Sequence, residues 1–163
     1  MVRRKKVPVA DPRPDWDTYF MDVANVVATR GNCSRRKVAA IIVRDRRIVS
    51  TGYNGTPRGV RNCFEGGCPR CAGSAESGRS LDECICSHAE ENAITTAAYH
   101  GVSVAGAMLY TTLSPCLTCA KMIINAGIRE VVYDLPYRFT PQTRALLREA
   151  GVKIRKFVRK NAV

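Results

Sequence analysis

Apolar residues return every three or four positions from Trp16 through Phe20, Val23, Ala24 and Val27. Residues 15–29 therefore read as an amphipathic helix, with Asp15 as its N-cap. Two short apolar runs follow, 38–43 and 48–53, around the polar turn Arg44-Asp45-Arg46-Arg47, and this spacing predicts a β-hairpin. Residues 54–86 are rich in Gly, Pro, Ser and Cys and show no period, so a stretch this long needs something to order it. Beyond it the pattern alternates: helices over 89–99, 116–126 and 141–150, and strands over 107–112, 130–134 and 152–157. Gly127 and Gly151 fall where helix C-terminal glycines belong. An antiparallel start followed by β-α-β units predicts an α/β fold, a three-layer sandwich around a mixed five-stranded sheet with helices on both faces.

Length changes this picture little. A chain of 163 residues is expected to form one domain, 1–163, with basic tails and a Cys-rich insert at about 54–86. An apolar share of 45% and a charged share of 25% exclude a disordered or fibrous class. No apolar run approaches the roughly 18 residues of a membrane span. The basic N-terminus leads into Val7-Pro8-Val9-Ala10-Asp11-Pro12 and not into an apolar stretch, so no signal peptide is expected. The expectation is a soluble, cytoplasmic protein with no membrane partner.

Charge needs sorting by position. The net charge is +12, yet residues 7–152 hold seventeen cations against fourteen acids. The excess sits in Arg3, Arg4, Lys5 and Lys6 at one end and in Lys153, Arg155, Lys156, Arg159 and Lys160 at the other. Solvated tails are the simplest reading, so the charge suits a phosphate-bearing partner without requiring one.

Cysteine usage says more. The chain has 8 cysteines, clustered and with no secretory context, which favours metal over a disulfide framework. His88-Ala89-Glu90 and Pro115-Cys116-Leu117-Thr118-Cys119 each fall at the start of a predicted helix. A catalytic zinc takes three protein ligands and leaves one position for water, and His88, Cys116 and Cys119 supply that number. Cys116 and Cys119 are one helical turn apart, so their sulfurs can converge, and unsatisfied helix-start N–H groups favour thiolate. Glu90, two residues from His88, is close enough to handle the water's proton. His-x-Glu with Pro-Cys-x-x-Cys is the known signature of zinc deaminases.

On these motifs the chain resembles the cytidine and deoxycytidylate deaminase family, its deoxycytidylate (dCMP) branch above all, from about Trp16 to Phe157. Gly52-Tyr53-Asn54-Gly55-Thr56-Pro57 is similar to the Gly-Tyr-Asn-Gly element of that branch. Cys33-Ser34-Arg35-Arg36-Lys37-Val38 resembles its basic turn, and the cysteines of 62–71 and 84–88 resemble the Cys-rich insert of some members. Ala39 stands where the family usually has Gly.

The resemblance implies zinc-dependent hydrolytic deamination of dCMP to dUMP, feeding dTMP synthesis, with Glu90 as proton carrier. It implies that the Ser114 carbonyl meets the substrate amine, the Ala89 N–H the ring oxygen, Asn54 the sugar and Tyr137 the pyrimidine. Arg35, Arg36 and Lys37 are the candidate phosphate cations. A structural zinc is implied on Cys33, Cys63, Cys68 and Cys84, with Cys71 or Cys86 able to substitute. Activation by dCTP with Mg2+, inhibition by dTTP and a homohexamer are implied too, with Tyr53, Gly55, Arg58 and Arg61 near the effector. Two other readings use the same zinc signature: a deaminase of polynucleotide cytosine or tRNA adenosine, and a zinc-stabilised binding module without catalysis. Glu90 argues against the module, since a structural site has no use for a proton carrier. The Gly-Tyr-Asn-Gly element argues for a mononucleotide, so polynucleotide binding is not expected.

Overall fold

The computed structural model describes residues 12–74, 76, 83–137 and 139–160. The basic residues at 3–6 lie outside that range. Helix α1 (Trp16–Ala28) starts where the Asp15 carboxylate accepts the Thr18 N–H at 2.8 Å. Strands β1 (Ala39–Arg44) and β2 (Arg47–Tyr53) form the expected hairpin. Its turn narrows to Asp45 and Arg46, because Arg44 still pairs with Arg47. Both turn residues take positive φ, 50° and 59°, the twist a two-residue hairpin needs.

The aperiodic stretch holds two pieces of helix that hydrophobic period does not reveal: a 3-10 turn (Cys63–Glu65) and α2 (Pro69–Ala72). Then come α3 (Ala89–Tyr99), β3 (Met108–Leu113), α4 (Leu117–Asn125), β4 (Glu130–Leu135), α5 (Pro141–Glu149) and β5 (Lys153–Lys156). Gly127 and Gly151 do close α4 and α5 in the left-handed region, with φ of 74° and 72°.

The sheet has five strands in the order β2-β1-β3-β4-β5. β1 runs antiparallel to β2 and β3, whereas β3, β4 and β5 run parallel. Strand periodicity divides the core. Ala40, Ile42, Leu109 and Val131 face α3, α4 and α5 through Ala93, Ala120, Ile123 and Leu147. Ile41, Val43, Tyr110 and Val132 face the other way, onto Phe20, Met21 and Ala24 of α1. The expected mixed five-stranded sheet with helices on both faces is what the chain forms. Burial on both faces explains why the first residues of β1 are all apolar. Ala39 is accommodated: it is fully buried, and its N–H donates to Thr112 Oγ1 at 3.1 Å.

Three of the five C-terminal cations make ion pairs with acids of the folded domain. Arg155 bridges Asp17 (2.6 Å) and Glu130 (2.7 Å), Arg159 pairs with Asp22, and Lys160 reaches Asp15 at 3.4 Å. The basic end thus reaches the acidic residues at and within α1, because Arg155 pairs in register with Val132 on the sheet face that α1 covers. No described helix is long and apolar enough to cross a membrane.

Candidate metal centre and active site

The site forms where β3 ends and α4 begins, facing the start of α3. In parallel arrangements the carboxyl ends of strands and the N-termini of the following helices meet there, which concentrates N–H donors at one place. His88 is the N-cap of α3, and its own N–H donates to the Glu91 carboxylate at 3.1 Å. Glu91 was not among the expected residues; its signal is the acid three positions after the cap. Cys116 is the N-cap of α4, and Cys119 lies one turn inside.

This places three ligand atoms together. His88 Nδ1 lies 3.3 Å from Cys119 Sγ and 3.4 Å from Cys116 Sγ, and all three atoms lie within 4.8 Å of one another. Cys119 beside it, with His88 next, holds the Cys116 thiol down to about 3. The neighbouring Cys116 sulfur in turn pushes the Cys119 proton affinity up. Two sulfurs in one small buried space cannot both ionise easily unless a cation sits between them. The donor set and its charge conflict therefore fit zinc, with His88 Nδ1, Cys116 and Cys119 as its ligands.

Glu90 is 4% exposed and lies against this trio, 3.7 Å from Cys119 Sγ. Burial lifts its carboxyl to about 6, so it can exchange a proton near neutral pH.

A cleft of about 360 Å³ opens over these residues, and Asn54, Ala89, Ser114, Tyr137, Arg35 and Arg36 are among those that line it. Ser114 Oγ is locked to Tyr137, accepting its N–H at 2.8 Å and donating to its carbonyl at 3.0 Å. Asn54 accepts the Val38 N–H at 2.8 Å and donates to the Arg36 carbonyl at 2.7 Å, which fixes the start of β1 as well as one cleft wall.

The three consecutive cations part company. Arg36 lies over the Tyr137 ring, 4.4 Å from its centroid. Arg35 is turned onto α2, donating to the Cys71 carbonyl at 2.8 Å and to the Gly73 carbonyl. Lys37 is not among the cleft residues; its Nζ reaches the Thr29 carbonyl at 3.3 Å. Lys37 thus stands apart from the cleft that Arg35 and Arg36 line. Arg70, which the sequence did not single out, joins the cleft from α2.

The expected effector residues lie around the start of the insert. Tyr53 is 39% exposed, Arg58 sits 4.6 Å over the Tyr99 ring, and Arg61 donates to the Gly66 carbonyl at 3.1 Å. Gly55 exchanges two backbone hydrogen bonds with Ser87 and packs against the Asn32 amide, 2.4 Å from where its Cβ would be. Asn32 was also missed. Its side chain holds Thr56 and Asn62, which pins both ends of that loop.

The remaining six cysteines also gather, but not as expected. Cys33, Cys63, Cys68 and Cys84 do not surround one point. Instead Cys33 and Cys63 join Cys71 and Cys86 in one foursome, and Cys68 and Cys84 join the same two in another. Cys71 and Cys86 come from the middle of the knot, and the other four approach from its two sides.

A His/Cys/Cys site beside a buried carboxylate, at a strand-to-helix junction of a mixed α/β sandwich, defines the zinc nucleobase-deaminase class of fold and site. The model of the cytidine and deoxycytidylate deaminase zinc-binding region matches residues 14–135, and the chain belongs to that family. It is 49% identical over 146 residues to the deoxycytidylate deaminase of Schizosaccharomyces pombe, covering 90% of this chain and 45% of the relative. It is 48% identical to that of Saccharomyces cerevisiae, covering 89% of this chain and 46% of the relative. The chain therefore spans about half the length of these curated relatives. Among solved structures, the dCMP deaminase of cyanophage S-TIM5 in complex with dCMP and dUMP superposes with a TM-score of 0.74. That likeness has 35% identity and covers 89% of this chain and 98% of the phage chain.

Proposed function

We propose that the chain hydrolyses dCMP to dUMP and ammonia, using zinc held by His88, Cys116 and Cys119. The observation that carries this is the convergence of those three ligands beside a buried Glu90 at the floor of a cleft of nucleotide size. The names of the yeast relatives and the ligands of the phage structure support the choice of dCMP. Zinc, when bound, supplies Lewis acidity that brings a water's pKa from 15.7 towards about 7.

Glu90 takes a proton from the attacking water and delivers it to N3 of cytosine; it then takes the proton of the new C4 hydroxyl and passes it to the amine, which leaves as ammonia while the C4 carbonyl forms. Its carboxyl near 6 suits both directions of transfer. The Ala89 N–H, at the first turn of α3, suits the ring oxygen, and the Ser114 carbonyl suits the amine. Asn54 and Tyr137 bound the sugar and base from the cleft walls. Arg36, already over Tyr137, is the phosphate cation of choice, with Arg70 beside the same cleft. The Cys-rich insert binds zinc as a structural element.

Regulation by dCTP with Mg2+ and by dTTP, hexameric assembly and a cytoplasmic location belong to the same reading and rest on the family resemblance. A deamination assay on dCMP, deoxycytidine and a cytosine-containing oligonucleotide, with and without dCTP and Mg2+, tests it. Preference for dCMP and a sigmoidal rate curve made hyperbolic by dCTP are the expected results. Turnover of the oligonucleotide alone would replace the mononucleotide reading with the polynucleotide one.

A further inference from the structure

Six cysteines outside the His88 site form one knot, with Cys63, Cys68, Cys71 and Cys86 buried and Cys33 and Cys84 half-buried, and its geometry counts metal ions. The sulfurs are free thiols, 3.9 Å apart for Cys33–Cys71, 3.8 Å for Cys68–Cys84 and 3.7 Å for Cys71–Cys84. A disulfide would hold them at about 2.05 Å. Two sulfurs bound to one tetrahedral zinc at about 2.3 Å stand about 3.8 Å apart. The observed spacings fit thiolates sharing a metal, and they occur in both foursomes.

We propose that the insert holds two zinc ions in a single six-thiolate cluster, bridged by Cys71 and Cys86. Cys33 and Cys63 complete one tetrahedron, and Cys68 and Cys84 complete the other. Two four-coordinate ions need eight ligand positions. Six thiolates fill them only if two are used twice, and the structure places two, Cys71 and Cys86, in both foursomes. One ion alone would leave two sulfurs stranded beside a filled site, with Cys63 and Cys68 already 2% and 0% exposed.

Binding releases six protons and leaves the cluster with two negative charges. The surroundings answer that charge. Ser34 donates to Cys63 Sγ from its N–H at 3.4 Å, and its Oγ lies 3.6 Å from the same sulfur. Arg35 holds the Cys71 carbonyl at 2.8 Å, and Arg70 stands beside Cys71 and Cys84.

The cluster joins four pieces of chain: the segment after α1, the 3-10 turn, α2, and the segment leading into His88. Cys86 is two residues from His88, and Cys33, Cys71, Cys84 and Cys86 form part of the cleft wall. The two-ion cluster is thereby the device that orders the insert and sets the approach of the chain to α3. This deepens the reading that the insert binds zinc.

Native mass spectrometry of the full chain, produced with zinc and dialysed against a weak chelator, tests it. Three zinc ions per chain are expected, and two in the C116S/C119S double variant, whatever substrate the His88 site serves. Two ions in the parent chain and one in the double variant would overturn the bridged cluster while leaving a single structural zinc. In protein loaded with 113Cd, the Cys71 and Cys86 β-protons should each couple to two cadmium resonances. Coupling of every cysteine to one cadmium only would overturn the proposal even if the ion count were three.

Discussion

Gly52 is where the position of α3, the helix that carries Glu90, is decided. A Cβ at this residue would lie 2.2 Å from the Ala93 nitrogen, 2.3 Å from the Ala89 carbonyl oxygen and 2.8 Å from the Asn92 carbonyl carbon. All three are backbone atoms of α3, so no side chain can swing aside. Ordinary contact begins near 3.5 Å, so G52A must drive β2 and α3 apart by about 1 Å. Overpacking of this kind costs about 1–3 kcal/mol, which for a chain of this size lowers Tm by roughly 3–10 °C. The larger effect falls on the site. α3 begins directly after His88 and carries Glu90, whereas Cys116 and Cys119 belong to α4. A displacement of about 1 Å between reacting groups costs on the order of 100-fold in rate. S50A is the control. It removes a 2.7 Å hydrogen bond to the Ala93 carbonyl at the same interface without adding bulk. It should lower stability by about 1 kcal/mol and leave turnover within about twofold. Differential scanning calorimetry with dCMP kinetics reads both variants. A G52A protein with parental Tm and kcat would show that α3 does not rest on β2 as closely as the reasoning requires.

E90Q should keep its metal, counted by mass spectrometry, and lose on the order of 1000-fold or more in kcat, because an amide accepts the water's hydrogen bond but carries no proton; substantial turnover by the metal-loaded variant would remove Glu90 from its role. R36A should raise KM for dCMP by roughly 10- to 100-fold and barely change that for deoxycytidine, whereas R35A, which releases the Cys71 and Gly73 carbonyls, should mainly lower Tm. The Arg155 guanidinium, above all, holds the Asp17 carboxyl below its ordinary range despite some burial, and the Tyr110 hydroxyl donates to it at 2.8 Å. A depressed folded-state value means that this pair stabilises fully above the unfolded Asp value near pH 4 and is lost as pH falls through the folded one. D17N should therefore cost about 1 kcal/mol or less in urea unfolding at pH 7, since half-exposed pairs are screened, and progressively less as the pH falls below about 4; a loss that does not shrink with falling pH would contradict the assignment.

The sequence by itself determined what depends on near neighbours. Period 3.6 marked α1, α3, α4 and α5, period and apolar runs marked the strands, and Gly127 and Gly151 marked two helix ends, because local hydrogen bonding and side-chain direction repeat at fixed spacing. The same locality made half the site legible. Cys116 and Cys119 are one turn apart on one helix, and His88 and Glu90 flank one helix start, so their spacing already carried an angle. Tertiary structure decided whatever has no such angle. Spacing in the aperiodic insert could not say that Cys33 meets Cys71 or that Cys71 and Cys86 sit between the other sulfurs. Three adjacent cations looked equivalent until the fold supplied separate partners: Tyr137 for Arg36, the Cys71 carbonyl for Arg35 and the Thr29 carbonyl for Lys37. Arg155 and Asp17 are 138 residues apart, and only the register of β5, which sets Arg155 beside Val132 on the face that α1 covers, brings them together. Local rules fix each element's form. Which elements become neighbours follows from the burial of both sheet faces at once, and that is a property of the whole chain.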